Sequence, residues 1–149
     1  MSKTKDLVIE TMNENKAIIV DIDGTLSDMC NRSPYEYHKA VHDNVHEHIA
    51  QMVRIYRNEN YRIILLSGRD EECKDVTLEW LDKNDIPYDG LFMRVNKDRR
   101  KDSVVKLELY KRYVQGNYDV KFVLDDRNQV VDMWRSIGLP CLQVAPGDF

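Results

Sequence analysis

The sequence predicts a single α/β domain built on a central parallel sheet, and three observations support that prediction. Apolar runs of strand length alternate along the chain with longer segments of helical periodicity. Several of the runs are β-branched throughout, as in strands that are buried on both faces of a sheet. The chain has 149 residues and 42% hydrophobic content, which is enough to bury one core. We therefore expect three layers, with parallel strands joined by right-handed helical crossovers.

Five strands are predicted from the apolar runs, near residues 17–22, 61–66, 91–95, 120–125 and 141–144. Four helices are predicted from the spacing of apolar residues, near residues 35–58, 74–84, 102–114 and 128–136. Breaks between these elements fall at Pro87, Gly116 and Gly138-Leu139-Pro140. No repeat, low-complexity tract or linker indicates a second domain. We expect residues 1–149 to form one domain, with residues 1–16 as an N-terminal lead.

Composition and charge exclude several classes of protein. No stretch is long enough to span a membrane, and the first residues lack the apolar core of a signal peptide, so we expect a cytoplasmic protein without membrane contact. The formal net charge of −4 argues against indiscriminate coating of nucleic acid. Between Arg94 and Arg112, however, eight basic residues stand against three acidic ones. That segment fits a solvated helix face and a nucleic acid contact about equally well.

The first strand ends in two carboxylates, in the run Val20-Asp21-Ile22-Asp23-Gly24-Thr25. Ligands of open α/β sheets bind at the carboxyl ends of the strands, so Asp21 stands where a substrate would arrive. A carboxylate there suits phosphoryl transfer through an aspartyl-phosphate. The alternative is that Asp21 and Asp23 only cap a turn, and two later strand ends make that alternative the weaker one.

Two further predicted strands end in polar groups that suit the same chemistry. Ser67-Gly68-Arg69 supplies hydroxyl, backbone N–H and guanidinium donors for a phosphate. Asp125-Asp126 supplies a carboxylate pair, which suits a hard cation such as Mg²⁺. Between them, Asp102 and Lys106 stand at i, i+4 on one face of a predicted helix. Alone, that spacing would indicate only a surface ion pair.

In this order the four segments resemble the four motifs of the haloacid dehalogenase (HAD) superfamily phosphatases. Arg32 and the ending Gln143-Val144-Ala145-x-Gly147-Asp148-Phe149 narrow the resemblance to the 3′-phosphatase module of phage polynucleotide kinase-phosphatases. The resemblance implies a HAD-like, Rossmann-type fold with only a small helical cap, within about residues 27–60. The site should then be open enough to admit a polynucleotide end. No Gly-x-x-x-x-Gly-Lys-Ser/Thr loop occurs, so we expect no 5′-kinase activity, and a kinase or ligase partner would be a separate protein.

The resemblance also implies a role for each motif residue. Asp21 would be the nucleophile, Asp23 the general acid and base, and Lys106, oriented by Asp102, would neutralise the charge of Asp21 and the phosphate. The metal, Mg²⁺ with Mn²⁺ as a substitute, would be held by Asp21, the backbone carbonyl of Asp23, Asp125 and Asp126. The phosphate or the nucleic acid end would be bound by Thr25, Arg32, Ser67, Gly68 and Arg69.

We therefore expect a Mg²⁺-dependent phosphomonoesterase that removes 3′-phosphates from DNA or RNA ends, in end healing or repair. Two other classes share part of the residue set. A nucleotidase, or another small-molecule or 5′-end phosphatase, would have the same catalytic residues and a different outer site. A receiver domain of a signalling pathway would also have an acceptor Asp, but it carries its acidic pair on the first strand and lacks an Asp at +2.

All four histidines fall in the segment predicted as a long helix near residues 35–58. His38, His42 and His46 stand at i, i+4 and i+8, which would place them on one helical face, and His48 follows closely. Paired helical histidines hold zinc in some proteins. The same segment has an ordinary amphipathic pattern, so we expect the histidines to flank its buried stripe.

Overall fold

The computed structural model describes residues 15–28 and 36–149. The strands of this part of the chain are β1 (Lys16–Val20), β2 (Ser27–Asp28), β3 (Asn44–Val45), β4 (Arg62–Asp70), β5 (Gly90–Arg94), β6 (Asp119–Asp125) and β7 (Cys141–Gln143). Its α-helices are α1 (Glu47–Asn58), α2 (Lys74–Lys83), α3 (Asp102–Leu109) and α4 (Asn128–Ser136). Short 3-10 turns lie at Tyr37–His42 and Glu71–Cys73, and a π-helical turn at Tyr110–Val114 continues α3. Arg32 and nearly all of the N-terminal lead are outside the described residues.

The main sheet has five parallel strands in the order β5-β4-β1-β6-β7. β1 lies at its centre, and its residues Ala17 to Val20 are at most 1% exposed. The predicted parallel sheet is therefore confirmed. Because all five strands run in the same direction, their carboxyl ends meet at one edge, where polar side chains from different strands come together.

Helices cover both faces of the sheet and complete three layers. On one face Ile18 and Val20 pack with residues of α1 and α2, including Ile49, Val53 and Trp80. On the other face Ala17 and Ile19 pack with residues of α3 and α4, and the largest of these is Trp134. Alternate side chains of a strand point to opposite faces, so one apolar run supplies both cores. No helix of the described part is long and apolar enough to cross a bilayer.

The helix predicted near residues 35–58 is wrong in its first half. Tyr37–His42 forms a 3-10 turn, and β3 pairs antiparallel with β2, with Ser27 opposite Val45. The break lies at Asp43, whose backbone is extended (φ −59°, ψ 142°). His46 precedes α1, and its Nδ1 lies 2.8 Å from the carbonyl oxygen of Thr25. The histidines therefore do not share one helical face.

Helix α1 is a layer of the fold and not a cap over the site. Its residues Ile49, Ala50 and Val53 are at most 2% exposed and belong to the core beneath the sheet. In the described part of residues 27–60, the segment above the carboxyl edge is therefore the β2–β3 pair with its 3-10 turn. The open site that the sequence predicts stays a prediction, because residues 29–35 of this segment lie outside the described residues.

Candidate active site

Asp21 and Asp125 lie close together because β1 and β6 are neighbours in the sheet. Asp21 directly follows β1, and its backbone N–H donates to the carbonyl of Leu124 at 3.0 Å. Asp125, the next residue after Leu124, ends β6. The Ser67-Gly68-Arg69 segment lies inside β4, which continues to Asp70, and not after it as the predicted strand end implied. All three segments still reach the same edge.

Lys106 joins these carboxylates from α3. Its Nζ donates to Asp21 Oδ1 at 2.8 Å and to Asp125 Oδ2 at 3.0 Å, and Asp102 Oδ2 lies 3.8 Å away. Lys106 is only 1% exposed. Burial acts to lower the pKa of Lys106, but the charges of Asp125, Asp21 and Asp102 outweigh it and raise that pKa well above its usual value. The i, i+4 pair of Asp102 and Lys106 is therefore part of a buried charge network.

Asp21, Asp125 and Asp126 form a compact group of buried carboxylates. One oxygen from each lies within 4.8 Å of the others. Burial raises the pKa of Asp21 well above its usual value, the Asp125 charge adds to that rise, and the Lys106 charge opposes it. Burial also raises the pKa of Asp126. Three carboxylates facing one ammonium leave an excess of negative charge, and oxygen-only donors are those that Mg²⁺ and Mn²⁺ prefer. The donor set therefore fits a divalent cation.

The turn after β1 places the hydroxyl of Thr25 and the main chain of Gly24 against this group of carboxylates. The hydroxyl of Thr25 lies 3.1 Å from Asp21 Oδ2 and 3.4 Å from Asp126 Oδ1. Gly24 has a positive φ of 86°, and a Cβ built there would stand 2.1 Å from Asp126 Oδ2. Only glycine combines that left-handed backbone with such a close approach. Gly24 therefore permits the position that Asp126 takes.

Asp23 is held by Arg69 in a two-point ion pair. Arg69 Nε donates to Asp23 Oδ2 at 2.9 Å, and Nη2 donates to Oδ1 at 2.5 Å. The remaining guanidinium donors meet Thr77 Oγ1 at 3.0 Å and Asp43 Oδ2 at 3.4 Å. Arg69 is 2% exposed, whereas the Asp23 side chain keeps 23% of its surface exposed. Arg69 was predicted as a phosphate ligand. In the structure all three nitrogens of its guanidinium group donate to protein acceptors, which are Asp23, Thr77 and Asp43.

The other residues of the Ser67 segment are fixed by neighbours on β5 and α3. Ser67 Oγ accepts from the backbone N–H of Arg69 at 3.1 Å. A Cβ at Gly68 would stand 2.0 Å from Asp102 Oδ1, so Asp102 needs a glycine there. Arg94 Nε donates to the Gly68 carbonyl at 2.8 Å, and Nη2 lies 3.3 Å from Asp102 Oδ1. This role of Arg94, and the contact of Asp43 with Arg69, could not be predicted from the sequence, because neither Arg94 nor Asp43 belongs to a motif.

The end of the described chain wraps behind the Asp125-Asp126 pair. The backbone N–H of Val144 donates to the Asp125 carbonyl at 3.1 Å, and Gln143 Nε2 donates to the Asp126 carbonyl at 2.9 Å. A Cβ at Gly147 would stand 1.8 Å from that same Asp126 oxygen. Residues 143–147, for which the sequence predicted no role beyond the family resemblance, therefore position the backbone of two predicted metal ligands.

Comparison with known proteins gives matches that agree with this site. A family model described as the polynucleotide kinase PNKP phosphatase domain matches residues 15–149. A protein of Autographa californica nuclear polyhedrosis virus, described as a bifunctional polynucleotide kinase/RNA ligase, is 35% identical over 128 residues. That match covers 84% of this chain and 18% of the viral protein.

Solved structures give a similar result. Two structures of a Pnkp1/Rnl/Hen1 complex, one of them described as an RNA repair complex, each contain a chain 46% identical to this one with a TM-score of 0.89. Each match covers 91% of this chain, and 47% or 44% of the longer chain. A class C acid phosphatase from Bacillus anthracis, 15% identical over 97% of this chain and 72% of its own, has the same fold with a TM-score of 0.66. The chain thus spans less than half the length of the viral protein and of the chains in the two Pnkp1/Rnl/Hen1 structures.

Proposed function

Since the chain belongs to the family of polynucleotide kinase PNKP phosphatase domains, as the motifs indicated, we propose that this phosphatase removes 3′-phosphates from the ends of nucleic acid strands through an aspartyl-phosphate. The observation that carries the proposal is the contact of Lys106 with both Asp21 and Asp125 at the carboxyl edge of the sheet. It sets an ionised lysine beside a carboxylate nucleophile and next to a set of cation ligands. The 3′ polarity rests on the resemblance to 3′-phosphatase modules.

In the first step an oxygen of Asp21 attacks the phosphorus atom, and the bond between phosphorus and the sugar oxygen breaks. The leaving alkoxide takes a proton from the carboxyl group of Asp23. Asp23 is the candidate for this role because it stands two residues after Asp21 and its side chain is partly exposed. The ion pair with Arg69 holds Asp23 in position and favours the carboxylate form, which is the form that the second step uses. We propose that Arg69 acts mainly as the positioning residue of Asp23.

In the second step a water molecule attacks the phosphorus atom of the aspartyl-phosphate. Asp23, now a carboxylate, takes a proton from that water, and the bond between phosphorus and Asp21 breaks. Inorganic phosphate leaves, and both aspartates return to their starting forms. Lys106 stays close to Asp21 and limits the charge that accumulates there in both steps.

The phosphate dianion must enter a site that already holds several carboxylates. A divalent cation, Mg²⁺ or Mn²⁺, would be held by Asp21, Asp125, Asp126 and the backbone carbonyl of Asp23. When bound, it would offset the repulsion between the phosphate and these carboxylates. We propose that Thr25, Ser67 and the backbone at Gly68 donate to phosphate oxygens, and that Arg32 contacts the phosphate or the strand behind it.

The relatives suggest where such an activity is used. They are described as a bifunctional polynucleotide kinase/RNA ligase and as chains of a Pnkp1/Rnl/Hen1 complex, in one case called an RNA repair complex. We propose that this chain heals RNA ends together with kinase or ligase activities of other domains or proteins. A DNA 3′-end would offer the same phosphate ester to the same residues.

One panel of substrates tests the proposed function. It contains 3′-phosphorylated and 5′-phosphorylated oligonucleotides of RNA and DNA, a nucleoside 3′-phosphate and an aryl phosphate. We expect the highest kcat/KM for the 3′-phosphorylated oligonucleotides. A preference for 5′ ends would contradict the assigned polarity, and equal kcat/KM for the mononucleotide would indicate a nucleotidase.

The Asp21→Asn variant tests the covalent route. The amide nearly matches the carboxylate in shape but is not a nucleophile, so turnover of every substrate should fall more than about a thousandfold. A circular dichroism spectrum equal to that of the wild type serves as the folding control. If a folded Asp21→Asn preparation, free of wild type, still hydrolysed phosphate in single-turnover experiments, the aspartyl-phosphate would be rejected.

A further inference from the structure

The loop between β5 and α3, residues 95–101, lies on the rim of the site and is attached to it through Arg94. Arg94 Nη1 donates to the carbonyls of Asp98 at 3.1 Å and Arg100 at 2.6 Å. The same guanidinium donates to the Gly68 carbonyl and lies close to Asp102. One side chain therefore ties the loop to two segments of the active site.

Contacts with the end of β4 fix the other half of the loop. The backbone N–H of Lys97 donates to Asp70 Oδ2 at 3.0 Å, and that of Asn96 donates to Glu71 Oε1 at 3.2 Å. Lys97 takes a left-handed backbone with a φ of 67°. The loop thus has backbone contacts along its length, which reduces the entropy that a ligand would remove on binding.

The basic residues in and before this loop fall into two groups. Arg94 is used internally, and Arg100 is paired with Asp98 at 2.7 Å and with Glu108 at 2.6 Å. The second group is exposed, and in residues 15–28 and 36–149 the structure shows no hydrogen bond or ion pair of its side chains. It consists of Lys97, Arg99 and Lys101.

We propose that Lys97, Arg99 and Lys101 bind the phosphodiester backbone of the nucleic acid strand next to its terminal phosphate. The inference rests on the proposed function, and it adds the feature that selects a polynucleotide end over a mononucleotide. Phosphodiesters are the anions that a strand offers next to its terminal phosphate. A loop held by backbone contacts, with three exposed cations that pair with none of the described residues, suits them.

Two double variants with the same change in charge test the proposal. Arg99→Gln/Lys101→Gln removes two cations of the loop. The control, Lys83→Gln/Lys111→Gln, removes two exposed cations outside the loop: Lys83 is the last residue of α2, and Lys111 lies in the π-helical turn that continues α3. The measurements are kcat and KM for a 3′-phosphorylated oligonucleotide, a nucleoside 3′-phosphate and an aryl phosphate, over a series of salt concentrations.

We expect the loop variant to raise KM for the oligonucleotide several-fold and to leave aryl phosphate turnover unchanged. The slope of log(kcat/KM) against log[salt] should flatten by about 1.4, because each phosphate contact on a single strand contributes about 0.7. The ratio of kcat/KM for the oligonucleotide to kcat/KM for the mononucleotide should fall by the same factor by which KM for the oligonucleotide rises. The control variant should behave as the wild type does.

Two outcomes would overturn the inference: a wild-type KM and salt slope in the loop variant, or an equal loss in the control, which would assign the effect to overall charge. Failure of the proposed function is seen separately, because the wild-type enzyme would then show a preference for 5′ ends, or no activity on 3′-phosphorylated ends, before any substitution is made.

Discussion

At the scale of single residues, the site depends on two glycines, which have no side chain, as well as on its charged side chains. Asp126 approaches the backbone at Gly24 so closely that a methyl group would overlap its carboxylate, and Asp102 approaches Gly68 in the same way. These glycines allow charged oxygens to reach positions against the main chain. The geometry of the carboxylate group is therefore sensitive to changes at residues that have no chemistry of their own.

Gly24→Ala should lower activity through the position of Asp126. The new Cβ would stand 2.1 Å from Asp126 Oδ2, so that carboxylate must move, and we expect a higher Mg²⁺ requirement and a lower kcat. Gly116→Ala is a matched control, because Gly116 has nearly the same φ of 83° and no atom within 4 Å of its built Cβ. Each variant should lose about 1 kcal/mol or more of folding stability to backbone strain. Equal Mg²⁺ titrations for the two variants would contradict this role of Gly24.

The residues that could be placed from the sequence alone are those that follow apolar strands. The sequence predicted that Asp21 and Asp125 would meet, because parallel strands bring their carboxyl ends together, and Lys106 was placed through the order of the motifs. Asp43 and Arg94 could not be found in this way. Their partners, Arg69 and Gly68, are each 26 residues away, and no local pattern reports such a contact.

At the scale of elements, strands were easier to predict than the segment after the first motif. Four of the five apolar runs ended within two residues of the observed strand ends, because a strand buried on both faces needs apolar residues throughout. The exception is β4, which continues through polar residues to Asp70, four residues past its predicted end. The break before α1 has no glycine or proline, and the amphipathic spacing continues across it. It is made by tertiary contacts, the pairing of β2 with β3 and the contact of His46 with Thr25, which override local helical preference.

A pair of isoleucines on α1 tests whether this helix is a structural layer. Ile49 is 2% exposed and Ile55 is 53% exposed. Ile49→Ala should lower the free energy of unfolding by about 2–5 kcal/mol, because it leaves a cavity beneath the sheet. Ile55→Ala removes the same atoms from an exposed face and should change stability by less than about 0.5 kcal/mol. Urea denaturation measures both values, and similar losses would show that α1 does not pack as described.

At the scale of the whole molecule, the fold gathers its buried charge at one edge of the sheet, and this lowers stability when no cation is bound. The pKa values of Asp21 and Asp126 are raised in the folded state, chiefly by burial. A raised carboxyl pKa stabilises the folded protein below the unfolded pKa of about 3.9. That contribution is lost as the pH rises through the folded pKa values. Metal-free protein should therefore lose stability from these two groups as the pH rises above about 4.

A divalent cation should reverse this loss, and more strongly at higher pH, because it competes with protons for the same oxygens. At a fixed concentration equal to 100 times the Kd at pH 8, Mg²⁺ or Mn²⁺ should add about 2.7 kcal/mol at pH 8, or roughly 5–10 °C in Tm for a domain of this size, and less at pH 5. Differential scanning fluorimetry at pH 5 and pH 8, with cation and with chelator, measures the shift. Asp126→Asn should reduce the shift, whereas Asp82→Asn, an exposed change on α2, should leave it intact. A shift of equal size at both pH values, or in both variants, would show that the cation stabilises the protein somewhere other than this carboxylate group.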